Sequence, residues 1–218
     1  MGGVVFPPAI FITGTDTDVG KTVVSAMFTI GLEATYWKPV QSGCEPMTDT
    51  ERVRSLTQLP SHHFLPERFR LSQPLSPHAA AAIDSVAIAL SDFQCPTVST
   101  PHLIIEGAGG LMVPLNQQDY MIDLIRQFQV PVCLVARSTL GTINHTLLSL
   151  EQLRRYEIPV LGVVLNGPKN QGNRDAIAHY GNVPILGELE PMTDMSPVRL
   201  KQAFAQMHLP ASTVSHQI

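Results

Sequence analysis

The stretch Ile10–Thr22, reading I-F-I-T-G-T-D-T-D-V-G-K-T, limits the possible folds of this chain more than any other. A short apolar run, Ile10 to Ile12, enters a loop holding Gly14 and Gly20. Lys21 and Thr22 follow, and then an apolar-rich segment of helical residues. The order is strand, loop, helix. Glycines there let backbone N–H groups turn toward an anion with no Cβ in the way, and the helix N-terminus adds partial positive charge. The arrangement predicts a phosphate loop, with Lys21 reaching β- and γ-phosphates and the Thr22 hydroxyl on Mg²⁺. One position departs from the usual pattern: Thr15 stands where the first small residue is expected, with Gly14 one place earlier. It is a variant loop.

Composition narrows the setting. A chain of 218 residues suits one domain with a full core. A formal charge of −4, with the basic residues scattered, argues against a nucleic-acid scaffold. Cys44, Cys95 and Cys133 lie far apart and are odd in number, which fits neither a disulfide framework nor a metal cluster and points to a reducing cytoplasm. The first residues carry no recognisable targeting signal, and no apolar run approaches the roughly 20 residues of a membrane helix. The expectation is a cytoplasmic protein that binds neither nucleic acid nor membrane.

Beyond the loop, the pattern predicts a helix over Thr22–Leu32, a strand over Tyr36–Val40, and a helix from Thr48 to about Leu59 opened by the capping box Thr48…Glu51. Pro60–Gln73 has no clear period and reads as irregular. Ser76-Pro77 opens a helix to Ile83, and Ser85 starts another to about Phe93. Strands at His102–Glu106, Val130–Ala136, Val160–Leu165 and Val183–Leu186 then alternate with helices at Asp119–Phe128, Thr142–Tyr156, Arg174–Tyr180 and Pro197–Met207. Strands separated by single helices predict an α/β fold: a mostly parallel sheet with helices on both faces, in one P-loop NTPase domain spanning residues 1–218. Ligands gather at the carboxyl ends of such strands.

Several side chains at those ends could do chemistry. Glu106 closes an apolar strand and precedes Gly107-Ala108-Gly109-Gly110, a place suited to holding Mg²⁺. Asp49 is either a second metal ligand or an acid favoured by a helix dipole. Lys38 ends a buried strand. It either joins Lys21 on the γ-phosphate, offsetting charge during transfer to an anionic acceptor, or snorkels at the sheet rim. Asn166 could pair with adenine, or be part of an Asn-Gly turn. The eight histidines form no zinc pattern, and no G-x-S-x-G is present.

These segments together resemble dethiobiotin synthetase. The resemblance rests on T-G-T-D-T-D-V-G-K-T at Thr13–Thr22, K-P-V-Q-S-G at Lys38–Gly43, S-P-H at Ser76–His78, E-G-A-G-G at Glu106–Gly110, L-G-T-I-N-H at Leu140–His145 and L-G-E at Leu186–Glu188, in the family's order. It accounts for the variant loop. It implies an ATP- and Mg²⁺-dependent ligase of biotin synthesis that inserts CO₂ between the two amines of 7,8-diaminopelargonic acid, by way of a carbamate and its mixed anhydride with phosphate. It further implies Lys21 and Lys38 as catalytic groups. ATP would lie on Asp18, Val19, Gly20, Lys21, Thr22, Val23, Glu106 and Asn166, and the metal on Thr22, Asp49 and Glu106. Substrate would meet Thr17, Lys38 and Ser42, with Gly141, Thr142 and Asn144 reaching in from the second subunit of a homodimer.

Asp18, Glu190 and a short Thr22–Lys38 interval depart from the family pattern. A switch ATPase resembling MinD or ParA shares the expected fold. It carries an extra loop lysine where this chain has Thr15-Asp16, and often a basic or amphipathic tail, which Pro210–Ile218 is not. An amidoligase would need a glutaminase domain with a nucleophilic cysteine.

Overall fold

The structure is a computed structural model and describes residues 6–208. The tail Pro210–Ile218 lies outside the described residues. Six strands form one parallel sheet: β1 (Ala9–Gly14), β2 (Thr35–Trp37), β5 (Leu103–Gly110), β6 (Val132–Arg137), β7 (Val160–Asn166) and β8 (Ile185–Leu189), in the order β2-β5-β1-β6-β7-β8. Two short strands, β3 (Val40–Ser42) and β4 (Phe69–Leu71), pair in parallel as a separate small sheet.

Alternation along the strands decides which residues serve which face. In β1, Ile10 and Ile12 join one core with Ile104, Cys133 and Val135; Phe11 joins the other with Leu103, Ile105 and Leu134. The first core is covered by α1 (Lys21–Gly31), α2 (Asp49–Thr57) and α7 (Pro197–Ala205). The second is covered by α3 (Pro77–Ile83), α4 (Met121–Phe128), α5 (Thr142–Arg155) and α6 (Gln171–Gly181). β6 is apolar without interruption over Val132–Ala136 because both its faces are buried. In α4 the buried residues Met121, Ile122, Leu124, Ile125 and Phe128 form one stripe at helical spacing. Each such large side chain contributes roughly 1.5–3 kcal/mol by leaving water.

Three expectations need correction. The segment Tyr36–Val40 is not one strand: β2 ends at Trp37, and Pro39, which has no N–H for a ladder, turns the chain out to start β3 in the small sheet. Pro60–Gln73 is not wholly irregular, since Phe69–Leu71 aligns with Val40–Ser42. The helix expected from Ser85 does not form: Ser85 has a left-handed φ of 56°, and only a 3₁₀ turn at Leu90–Asp92 follows. The capping box forms as expected, with Thr48 Oγ accepting from Glu51 N at 3.2 Å and Glu51 Oε2 accepting from Thr48 N at 2.7 Å.

β1 lies between β5 and β6. The chain leaves β1 for β2 on one side and later crosses from β5 to β6 on the other. The carboxyl ends of β1 and β5 therefore open at the point where strand order reverses, and the phosphate loop lies there.

Candidate active site

Residues 15–20 bend round the head of Lys21, whose Nζ donates to the Asp16 carbonyl at 2.9 Å. Thr15 N is tied to Val135 O at 2.9 Å, which anchors the loop to β6. Gly20, just before α1, has a φ of 96°, and a Cβ there would run into the Asn166 amide. That amide donates to Val19 O at 2.9 Å. Asn166, considered for adenine, thus braces the loop with its NH₂ group. The exposed Asp16 carboxylate pairs with Arg137 at the end of β6, a contact the sequence reading missed.

Beside the loop, three oxygen donors converge. Thr22 Oγ1 lies 3.0 Å from Asp49 Oδ1 and 3.0 Å from Glu106 Oε1. Neighbouring ligands of an octahedral Mg²⁺ with bonds of 2.0–2.1 Å stand about 3.0 Å apart, so this donor set fits Mg²⁺. Among the described residues no group of three or more His, Cys, Asp or Glu is gathered for a metal. Two carboxylates and a hydroxyl leave positions for phosphate oxygens and water, as Mg²⁺ prefers.

Lys38 lies against the same carboxylates, with Nζ 2.8 Å from Asp49 Oδ2 and 3.0 Å from Glu106 Oε1; it also donates to Gly107 O at 3.3 Å. Its side chain is 4% exposed, which rules out a snorkelling lysine. Burial opposes its charge, but Glu106 and Asp49 outweigh burial and raise its pKa above the ordinary lysine value. Asp49 responds in the opposite sense: burial would raise its pKa, and Lys38 with the Thr22 hydrogen bond holds it below the usual carboxylate value. Burial lowers the pKa of Lys21, and repulsion from Lys38 lowers it further. An anion bound beside the loop would offset that repulsion.

Two further residues escaped the sequence reading. Gln41, in β3, accepts from Asp49 N at 3.0 Å and donates to Gly43 O at 2.8 Å, fixing the start of α2. Tyr36, in β2, donates its hydroxyl to Glu106 Oε2 at 3.0 Å. Burial and the nearby Glu106 raise the phenol's pKa well above its ordinary value, so it remains a donor. A weak signal existed: Tyr36 and Lys38 are two residues apart, with a polar tip on each.

Ser42 ends β3 with a buried hydroxyl that has no partner among the described residues. Thr17 and Asp18 are exposed on the loop, and Val23 is half-buried on α1. The expected group on α5 stands apart from this cluster: Thr142 is buried, while Gly141, with φ 93°, and Asn144 are exposed, and among the described residues no hydrogen bond joins the three to Lys38, Asp49 or Glu106. Near the end of β8 a cleft of about 400 Å³ is lined by Glu188, Glu190, Met192 and α7.

Comparison with known proteins gives the family. A sequence family described as AAA domain matches residues 8–199. The ATP-dependent dethiobiotin synthetase BioD of Brucella ovis is 49% identical over 197 residues, covering 90% of this chain and 92% of that protein, and the BioD of Brucella abortus strain 2308 matches to the same extent. Among solved structures, a ParA family ATPase from Chlorobium tepidum superposes with a TM-score of 0.54 at 12% identity, over 90% of this chain and 95% of that one. The septum site-determining protein MinD from Pyrococcus horikoshii, complexed with Mg-ADP, gives 0.53 at 14%, over 90% and 92%. At those identities the two ATPases share the fold alone, whereas the likeness to the synthetases extends over nine-tenths of the sequence. The chain belongs to the dethiobiotin synthetase family.

Proposed function

We propose that this chain is an ATP-dependent dethiobiotin synthetase, converting 7,8-diaminopelargonic acid, CO₂ and ATP into dethiobiotin, ADP and phosphate. The observation that carries the reading is the position of Lys38, buried within 3.0 Å of both Asp49 and Glu106, the two carboxylates that meet the Thr22 hydroxyl beside the phosphate loop. Carboxylation of one amine gives a carbamate, an anion that must approach a highly charged triphosphate. Phosphate on its oxygen then makes a leaving group, and the second amine displaces it as the ring closes. Lys21 and Lys38 offset the charge on acceptor and donor, the function that fixed cations serve in phosphoryl transfer.

Thr22, Asp49 and Glu106 would hold Mg²⁺, which when bound neutralises phosphate charge. Asp18, Val19, Gly20, Lys21, Thr22 and Val23 form the cradle for the ATP phosphates, and Asn166 holds the loop from the nucleotide side. The cleft at the end of β8 is open to the base. Thr17, Lys38 and the unpartnered Ser42 hydroxyl face the diamine.

A second copy would complete the site. The α5 N-terminus presents free N–H groups suited to a substrate carboxylate, and Leu140 beside it is 99% exposed, available to pack against a second copy. Gly141, Thr142 and Asn144 would act there in the partner's site, and two-fold symmetry would make two equivalent sites. The strands that carry the cluster share one sheet with β6, β7 and β8, and Asn166 of β7 braces the phosphate loop, so the chain acts as a single catalytic domain. Among the described residues no helix is long and apolar enough to cross a membrane, in keeping with a cytoplasmic enzyme.

The test is phosphate release from ATP, Mg²⁺ and bicarbonate, with and without the diamine, together with mass detection of the cyclic urea. Release that depends on the diamine, with one urea per phosphate, is expected. Diamine-independent hydrolysis with no urea would instead indicate a nucleotide switch.

A further inference from the structure

Glu106 uses its two oxygens differently. Oε1 faces Thr22 and Lys38, each at 3.0 Å, whereas the partner of Oε2 is the Tyr36 hydroxyl at 3.0 Å. The strand register explains how the phenol gets there. Tyr36 of β2 lies opposite Ile104 of β5, and Glu106 is the next residue of β5 on the same face as Ile104. A phenol is long enough to run over Ile104 and reach one residue further along the sheet. Tyr36 is fully buried, and Glu106 is 1% exposed. On its other flank Glu106 is in register with Ile12 of β1, which is apolar. In that stripe Oε2 is shut off from bulk solvent.

We propose that Tyr36 is a positioning residue for the phosphoryl-transfer site: by holding Oε2 of Glu106, it fixes the carboxylate so that Oε1 points at the metal position beside Thr22. The inference rests on the reading of Glu106 as a metal ligand. Without the hydroxyl, the carboxylate could rotate toward Lys38 with either oxygen and would leave the Thr22 side. The phenol thus occupies one oxygen of the carboxylate and leaves the other, Oε1, facing Lys38 and the metal position together. Outer partners of ligating carboxylates commonly have this role.

The test measures metal dependence of binding, with no turnover involved. Titration calorimetry of the full chain with a β,γ-imido analogue of ATP, with and without Mg²⁺, gives the gain in affinity that the metal supplies. Tyr36→Phe keeps the ring over Ile104 and removes one oxygen. It is expected to cut that gain by about tenfold or more while leaving affinity without Mg²⁺ unchanged. Glu106→Gln should also cut the gain, and Tyr36→Phe added to it should cost nothing further, because the two act as a unit. A lower melting temperature in Tyr36→Phe with an undiminished gain would overturn the positioning role and make the phenol a structural contact only. An undiminished gain in Glu106→Gln would overturn the metal reading and the positioning role together.

Discussion

Lys38 Nζ lies 2.8 Å from Asp49 Oδ2, joining the residue that follows β2 to the first residue of α2. The contact is part of the neutralisation of a buried ammonium, since Glu106 pairs with the same group. Lys38→Ala would leave Glu106 buried without its cation. We expect a loss of about 3–5 kcal/mol of stability, and a fall in turnover of about 100-fold or more. Mg²⁺ brings positive charge to the same oxygens, so it should raise the melting temperature of Lys38→Ala more than that of the unaltered protein. Thermal melts at rising Mg²⁺ check this; equal slopes for the two proteins would refute it.

Gly20 gives a separate test on the nucleotide side. Its φ of 96° strains any L side chain by about 1–2 kcal/mol. A Cβ would also push the Asn166 amide away from Val19 O. Gly20→Ala should weaken ADP binding by about tenfold or more, measured by calorimetry. Unchanged affinity would mean that the loop tolerates a shift of β7's end.

The capping box links helix stability to the site, because the residue after Thr48 is Asp49. Thr48→Ala should cost about 1 kcal/mol by denaturant unfolding. Because the cap holds the turn that aims Asp49, the variant should also need more Mg²⁺ for half-maximal rate. Lost stability with no change in Mg²⁺ requirement would separate the two roles.

Acid behaviour can be predicted at Asp84, the residue after α3. Its carboxylate accepts from the Ser72 hydroxyl and the Ser72 N–H, and these bonds lower its pKa below the ordinary 3.8. A lowered acid pKa stabilises the fold above the unfolded value, and the contribution is lost as pH falls through the folded one. Melting temperature should therefore drop less steeply between about pH 5 and 3 in Asp84→Asn than in the unaltered protein. Parallel curves would show that the Ser72 bonds contribute nothing to the acid limb.

The proposed sharing of the site between subunits can be tested by complementation. An Asn144→Ala protein and a Lys21→Ala protein should each be inactive. Mixed dimers would carry one intact site in two, so random re-association should restore up to about a quarter of normal activity. No recovery from heterodimers verified by mass would place Asn144 outside the partner's site.

The sequence carried the nucleotide half of the site more legibly than the substrate half, for a physical reason. Residues 10–22 act through backbone placement, which glycine spacing records locally, and Glu106 is marked by an apolar strand before it and glycines after it. Lys38 was readable as an anomaly, but its partners come from 11 and 68 residues away, and no local pattern encodes such pairing. Tyr36 reads as an ordinary core aromatic until the β2–β5 register sets it against Glu106. The failed helix after Ser85 shows a short amphipathic pattern overruled by packing: Ile88 and Phe93 enter the core from an irregular backbone.

The small β3–β4 sheet lies beside the main one and carries Gln41 and Ser42. On the proposed reading the diamine side is built on an appendage, and the phosphate loop on the central strand. Under selection or in the laboratory, the appendage could be lengthened, recoloured with other polar groups or exchanged for another, with β1, β5 and β6 left as they are. An engineer seeking a ligase for a different diamine would vary residues 40–46 and 69–78 first, keeping the ATP-handling chassis intact.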